Sequence, residues 1–129
     1  MFDDFELIHS YTRAEALEDG FLIDVTETAK EAGIKFPVAV TAELFHSFIK
    51  PTQAEEEHGQ DLEGRLWDVL FMFTYSARTT DGPMLLYKVV FVKEQPDRTL
   101  EQETQELKAV IGPGDTPEPV ITIMLPWED

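Results

Sequence analysis

Glu43 and His46 form an E-x-x-H pair, which on a helix sets a carboxylate and an imidazole on adjacent turns. Di-iron bundles use two such pairs plus two further glutamates on long helices. Here one pair stands alone, and a helix-surface contact is the simpler expectation. His58 follows Glu55, Glu56 and Glu57 and could hold a cation weakly, but that run reads first as a solvated acidic loop. His9, beside Ser10, reads as a packing or capping residue. Ser47-Phe48-Ile49-Lys50 has S-x-x-K spacing, yet Pro51 ends the segment and the companion motifs SDN and KTG are missing. Gly112-Pro113-Gly114-Asp115 has the glycines of a phosphate loop. No G-K-[ST] follows, Pro113 has no amide to offer, and Asp115 and Glu118 would repel phosphate, so a structural turn is expected. Cysteine is absent, which removes disulfides, thiolate metal sites and cysteine nucleophiles. These residues point to no catalytic residue, no metal ligand and no cofactor. Carboxylates alone keep a metal-dependent hydrolase open as a second alternative.

The carboxylates are numerous: 26 acidic residues stand against 10 basic ones, a net charge of −16 over 129 residues. The imbalance is spread, with −7 in residues 1–34, −3 in 35–65 and −6 in 66–129. Such a surface repels phosphate backbones and anionic lipid, so neither direct nucleic-acid contact nor membrane contact is expected, and basic proteins are attracted. Two readings follow. One is a soluble acidic domain that binds another protein. The other is a decoy imitating nucleic acid before a basic host-defence or DNA-processing protein. The acids that could share a face for either purpose are Glu15, Glu18, Asp19, Glu27 and Glu31, on two short helices joined by a tight link. Glu55, Glu56, Glu57, Asp61 and Glu63 extend the set if the chain brings them near. Trp67 and Trp127 are candidate partner anchors, since tryptophan is a preferred anchor of protein interfaces. Oligomeric state is not legible.

The elements that must carry these residues begin at Thr12. Thr12-Arg13-Ala14-Glu15 is a capping box, so a helix is expected from Arg13 to Asp19, closed by Gly20. Phe21 to Val25 has strand character, and Thr26 can cap a second helix over Glu27–Ala32. Ile34 to Val40 is extended, with Pro37 marking it as an edge or irregular segment. A third helix should run from Ala42 to Lys50, its apolar stripe made of Leu44, Phe45, Phe48 and Ile49. Residues 52–61 have no apolar periodicity and read as a loop. Two assignments compete for Leu62–Arg78. Leu62, Leu66, Val69, Leu70, Phe73 and Ala77 recur at helical spacing, on which Arg65 and Asp68 could pair at i, i+3. Phe71-Met72-Phe73-Thr74-Tyr75 favours a strand, with a turn at Thr79–Pro83. The sustained spacing favours the helix. Strands are expected at Leu85–Val92, Gln105–Ile111 and Val120–Leu125.

The expected fold is therefore α+β: one domain over residues 1–129, with short N-terminal helices and a central helix packed on a three-stranded antiparallel sheet. The acidic start, Met1 to Glu6, has neither the basic region nor the apolar core of a secretory signal.

Three blocks in order give the chain a familiar look: IHSYTRAEALEDGFLIDVTETAKEAGIKFPVAVTAELF at Ile8–Phe45, GRLWDVL at Gly64–Leu70, and LKAVIGPGDTPEPVITIMLP at Leu107–Pro126. Together they resemble a family of small uncharacterised proteins encoded on bacterial plasmids, phages and other mobile elements. The resemblance implies bacterial origin, a cytoplasmic location and a mobile-element context. It implies no activity.

Overall fold

The capping box at Thr12 forms as its spacing predicts. In a computed structural model, which describes residues 11–129, the Thr12 hydroxyl accepts from the Glu15 amide at 3.0 Å and the Glu15 carboxylate accepts from the Thr12 amide at 3.1 Å. Helix α1 then runs over Arg13–Asp19 and closes at Gly20, whose φ of 83° is the left-handed geometry glycine adopts without strain. A second cap comes from far along the chain. The Asp115 carboxylate accepts from the amides of Arg13 and Ala14 at 2.8 and 3.0 Å, placing negative charge at the positive end of α1. The GPGD segment is thus a structural turn that docks a helix. His9 and Ser10 lie outside the described residues.

After α1 come β1 (Leu22–Asp24), α2 (Thr26–Glu31), β2 (Val38–Thr41) and α3 (Ala42–Leu44), which passes into a π-helical turn over Phe45–Ile49. Helices α4 (Gln53–Glu57) and α5 (Leu62–Ala77) follow, and then β3 (Met84–Glu94), β4 (Leu100–Pro113) and β5 (Pro119–Met124). The helical assignment of residues 62–77 is the one the structure shows.

The sheet departs from the expected three antiparallel strands. Among the described residues it has five, in the order β1-β2-β5-β4-β3, and β2 runs parallel to β5 while the other pairs are antiparallel. The physical reason lies at Pro37. Proline cannot donate to a ladder, but Pro37 precedes β2, and its carbonyl accepts from the Ile121 amide at 2.9 Å. Val38-Ala39-Val40-Thr41, buried throughout, is then free to be an interior strand. Strand β4 starts at Leu100 rather than Gln105 because its polar first half, Glu101–Thr104, pairs with β3 while remaining exposed.

Along β3 burial alternates. Leu85, Tyr87, Val89 and Phe91 face α5, while Met84, Leu86, Lys88 and Val90 face solvent. The core joins these inward residues to Leu66, Val69, Leu70 and Phe73 of α5, to Val38 and Val40, and to Ile121 and Ile123, with Phe45 and Phe48 partly buried against it. Burial of each such aliphatic or aromatic side chain contributes about 1.5–3 kcal/mol. The Tyr87 hydroxyl is satisfied by donating to the Val69 carbonyl at 2.9 Å.

Candidate functional site

Helix α5 buries one side and, among the described residues, leaves the other unpartnered. With Leu66, Val69, Leu70 and Phe73 turned to the sheet, positions 67, 71 and 75 fall on the opposite side at i, i+4 and i+8. They are Trp67, Phe71 and Tyr75, exposed to 39%, 48% and 62%. The Trp67 and Phe71 rings stack, with centroids 6.3 Å apart and planes 19° from parallel. A surface helix normally carries charge on this side. Beside Trp67 is a hollow of about 390 Å³ bordered by Gln60, Asp61, Gly64, Asp68 and Arg65, whose charge is taken up by Glu55. Asp61 is anchored there by capping α5, accepting from the Gly64 amide at 2.6 Å. Desolvation pushes the Asp68 carboxyl above its ordinary pKa. The arrangement is an aromatic ladder flanked by carboxylates, suited to holding a cationic side chain against a ring.

What fixes α5 in place is a buried ion pair. Arg65 and Glu55 lie 3.1 Å apart with side chains 3% and 1% exposed. Arg65 also donates to the Phe48 carbonyl at 2.8 Å and to the Val92 carbonyl. Glu55 accepts from the Thr52 amide at 3.0 Å and the Glu94 amide at 2.7 Å. Burial alone would raise the Glu55 pKa. Those two amides, with the charges of Arg65 and Lys93, outweigh it and hold the carboxyl below the ordinary carboxylate range. One pair thereby ties together the π-helical turn, α4, α5 and β3.

This overturns two sequence expectations. Residues 52–61 are not wholly a solvated loop, because a Thr52–Glu55 capping box starts α4 and Glu55 is buried. Arg65 pairs with Glu55 and not with Asp68.

The same pair closes part of the outer sheet edge. In β3 the odd-numbered residues bond to β4, as the continuation Ile111 amide to Pro83 carbonyl at 2.7 Å and Gln95 amide to Thr99 carbonyl at 2.7 Å shows. Even-numbered residues therefore point their backbone groups away from β4. Arg65 takes the Val92 carbonyl and Glu55 the Glu94 amide. The stretch Met84–Val90 has no such cap among the described residues.

The five helical acids are all exposed, but they do not form one row. Arg13 of α1 donates to the Thr122 hydroxyl at 2.6 Å, and Thr122 faces away from its buried neighbours Ile121 and Ile123. Helix α1, with Glu15, Glu18 and Asp19, thus lies against the sheet face that α5 does not cover. Helix α2, with Glu27 and Glu31, packs through Val25 and Ala29 into the core on the α5 side. Glu27 is paired with Lys30 at 3.3 Å, Glu15 is used in capping, and Asp19 accepts from the Tyr11 hydroxyl at 2.6 Å. Trp127 is 68% exposed on the segment after β5, which Glu128 fastens through bonds to Thr41 and the Leu125 amide.

The remaining motifs find structural uses. His46 is exposed and packs edge-on to Phe45, and His58 meets the Ala54 carbonyl at 3.0 Å. Ser47 presents its carbonyl to Lys93, whose ammonium lies 4.7 Å from the Phe48 ring centre. Among the described residues no three of His, Asp and Glu come together as a cation-holding group. Phe71 and Tyr75 went unpredicted as surface residues. The signal was present in their spacing of four and eight residues from Trp67, opposite the apolar stripe, but it counts only once the segment is known to be a helix.

Across residues 1–129 the chain matches the model of a family of unknown function, DUF6573. Comparison with curated proteins and with solved structures returns no match. Among the described residues no helix is long and apolar enough to cross a membrane.

Proposed function

We propose that this chain, which belongs to the DUF6573 family, acts by binding another protein through the outer face of α5, and that the partner offers a basic segment. The observation that carries this is the ladder Trp67-Phe71-Tyr75, three large aromatic side chains exposed together on a helix whose opposite side is fully used by the core. Aromatic residues on a rigid element are the usual anchors of protein interfaces. The net charge of −16, with Asp61 and Asp68 at the hollow beside Trp67, selects for Lys or Arg on the incoming segment. Polyanion imitation is less well supported, because α1 and α2 divide the acids between the two sides of the sheet.

The chain has two tryptophans, so a Trp127→Phe background leaves Trp67 as the sole indole. Titrating that protein with peptides alternating Lys or Arg with apolar residues should change Trp67 emission. Phe71→Ala with Tyr75→Ala should weaken the response about tenfold or more, and an acidic peptide of the same apolar content should give none. Equal responses to the basic and acidic peptides would remove the proposal.

A further inference from the structure

A second opening lies at the end of the molecule where α2 and α5 finish. It is a groove of about 390 Å³ with an apolar lining that includes Phe36, Phe73, Ala77 and Ile121. Phe73 and Ile121 belong to the core, so the floor is rigid, while Phe36 stands 44% exposed as one wall. Two of the lining residues are cations, Lys35 and Arg78.

Their presence is notable against the charge of the whole. Of the ten basic residues, six are engaged within the described residues. Arg13 bonds to Thr122 and Ile121, Lys30 to Glu27, Arg65 to Glu55, Lys93 to Ser47, Arg98 to Glu94 and Lys108 to Glu128. The side chains of the other four, Lys35, Lys50, Arg78 and Lys88, show no hydrogen bond or ion pair there, and two of them, Lys35 and Arg78, line this one groove. No acid is among its lining residues. On a chain of net charge −16 this is a local reversal of sign over an apolar floor.

We infer that this groove is a binding site for a small apolar carboxylic acid, the hydrocarbon lying over Phe73, Ala77 and Ile121 and the carboxylate held between Lys35 and Arg78. The volume falls at the small end of ligand pockets, which span about 300–1,000 Å³. Apolar burial would supply most of the affinity and the two cations the choice of headgroup. An unattached anion would be repelled by the rest of the surface, so the apolar tail is needed as well as the charge. The site is independent of the α5 outer face, because Phe73 and Ala77 lie on the inward side of that helix and Trp67, Phe71 and Tyr75 on the other.

Calorimetric titration of the full chain with decanoate, below its micelle concentration, tests this. Decanoate should bind to a single site, with decanol about tenfold weaker and decyltrimethylammonium weaker still. Lys35→Gln with Arg78→Gln should bring decanoate down to the level of decanol, with decanol itself unchanged. Ala77→Trp, which fills the groove, should abolish binding of both. If that variant fails to fold, the double glutamine variant, altered only at exposed positions, still decides the matter, and its melting temperature shows whether the fold is intact. Decanol binding as tightly as decanoate, or the glutamine variant losing thermal stability but no affinity, would assign Lys35 and Arg78 to the helix ends and overturn the inference. So would a response confined to an apolar peptide bearing a free C-terminal carboxylate, which would make the groove a protein-docking site.

Discussion

Phe71 and Phe73 are two positions apart and have opposite fates: 48% exposed and 4% exposed. In a strand they would share a face; in a helix they point apart. Truncation should therefore separate them. Phe73→Ala should cost about 3–5 kcal/mol in chemical denaturation, through lost transfer energy and the cavity left behind. Phe71→Ala should stay within about 0.5 kcal/mol, as surface substitutions do. The Glu55–Arg65 pair is the other single-residue lever. Arg65→Ala would strand a buried carboxylate and free the Phe48 and Val92 carbonyls, an expected loss of about 3–5 kcal/mol. Replacing both partners with apolar residues should cost less than the sum of the two single changes. The pH dependence has a definite sign. The folded Glu55 carboxyl titrates below its unfolded value of about 4.3, so its contribution is complete above that pH and fades as pH falls through the lower, folded pKa. The gap in melting temperature between the native chain and Glu55→Gln should accordingly narrow on acidification below about pH 4. A gap constant from pH 7 to pH 3 would mean that the Glu55 carboxyl titrates alike in the folded and the unfolded chain.

Among the described residues strand β3 ends the sheet, and sheet edges invite pairing with other chains. The ion pair blocks its last turn of backbone at Val92 and Glu94, and Lys88 stands in the open part between the exposed Leu86 and Val90. A lysine there is an obstacle to edge-to-edge association. Lys88→Val should leave the β3–β4 ladder intact and raise the tendency to self-associate, seen as concentration-dependent mass in sedimentation. Val90→Pro added to it should restore the monomer, because the Val90 amide points away from β4 and its loss costs no ladder bond. The elements differed in how openly the sequence declared them. The Thr12 capping box, the stripe of α5 and the strand character of β3 were readable because each is a local pattern with one physical cause. Strands β1 and β2 were not read as members of the sheet. Three and four residues are too short to show a period, and β2 is paired by β5, over eighty positions away in sequence. Helix α4 was hidden because its sequence, QAEEE, has a single small apolar residue and no apolar stripe, so that only the Thr52–Glu55 capping box marks it, and nothing local says that Glu55 meets Arg65. The candidate surface was half legible. Trp67 was identified by type, whereas Phe71 and Tyr75 needed the helix, and the pooling of acids on α1 and α2 failed because sheet topology places those helices on different sides.

At the scale of the whole molecule, charge should act on stability and on binding with opposite signs. The described residues contain one exposed ion pair, Lys30–Glu27, one at the rim, Arg98–Glu94, and one buried pair. Exposed pairs contribute little, about 0–1 kcal/mol each. Repulsion among the remaining carboxylates is therefore the larger long-range term at neutral pH, given a net charge of −16. Salt shortens the reach of that repulsion, with a Debye length of about 10 Å at 0.1 M falling to about 3 Å at 1 M. Added sodium chloride should then raise the melting temperature modestly at pH 7. Acidification toward the sequence pI of 4.3 removes charge as well, but at the expense of solubility. Capture of a basic segment by α5 rests on the same charge with the sign reversed. Screening should weaken it, first through slower association, while the aromatic contact to Trp67 and Phe71 persists. Two measurements on one protein, thermal melting and Trp67 emission with a basic peptide, each run from low to high salt, should diverge: a more stable fold and a weaker complex. A melting temperature that falls steadily with salt would show that attractive pairs dominate the surface. A complex indifferent to salt would leave the aromatic ladder as the whole of the recognition and take the basic partner out of the proposal.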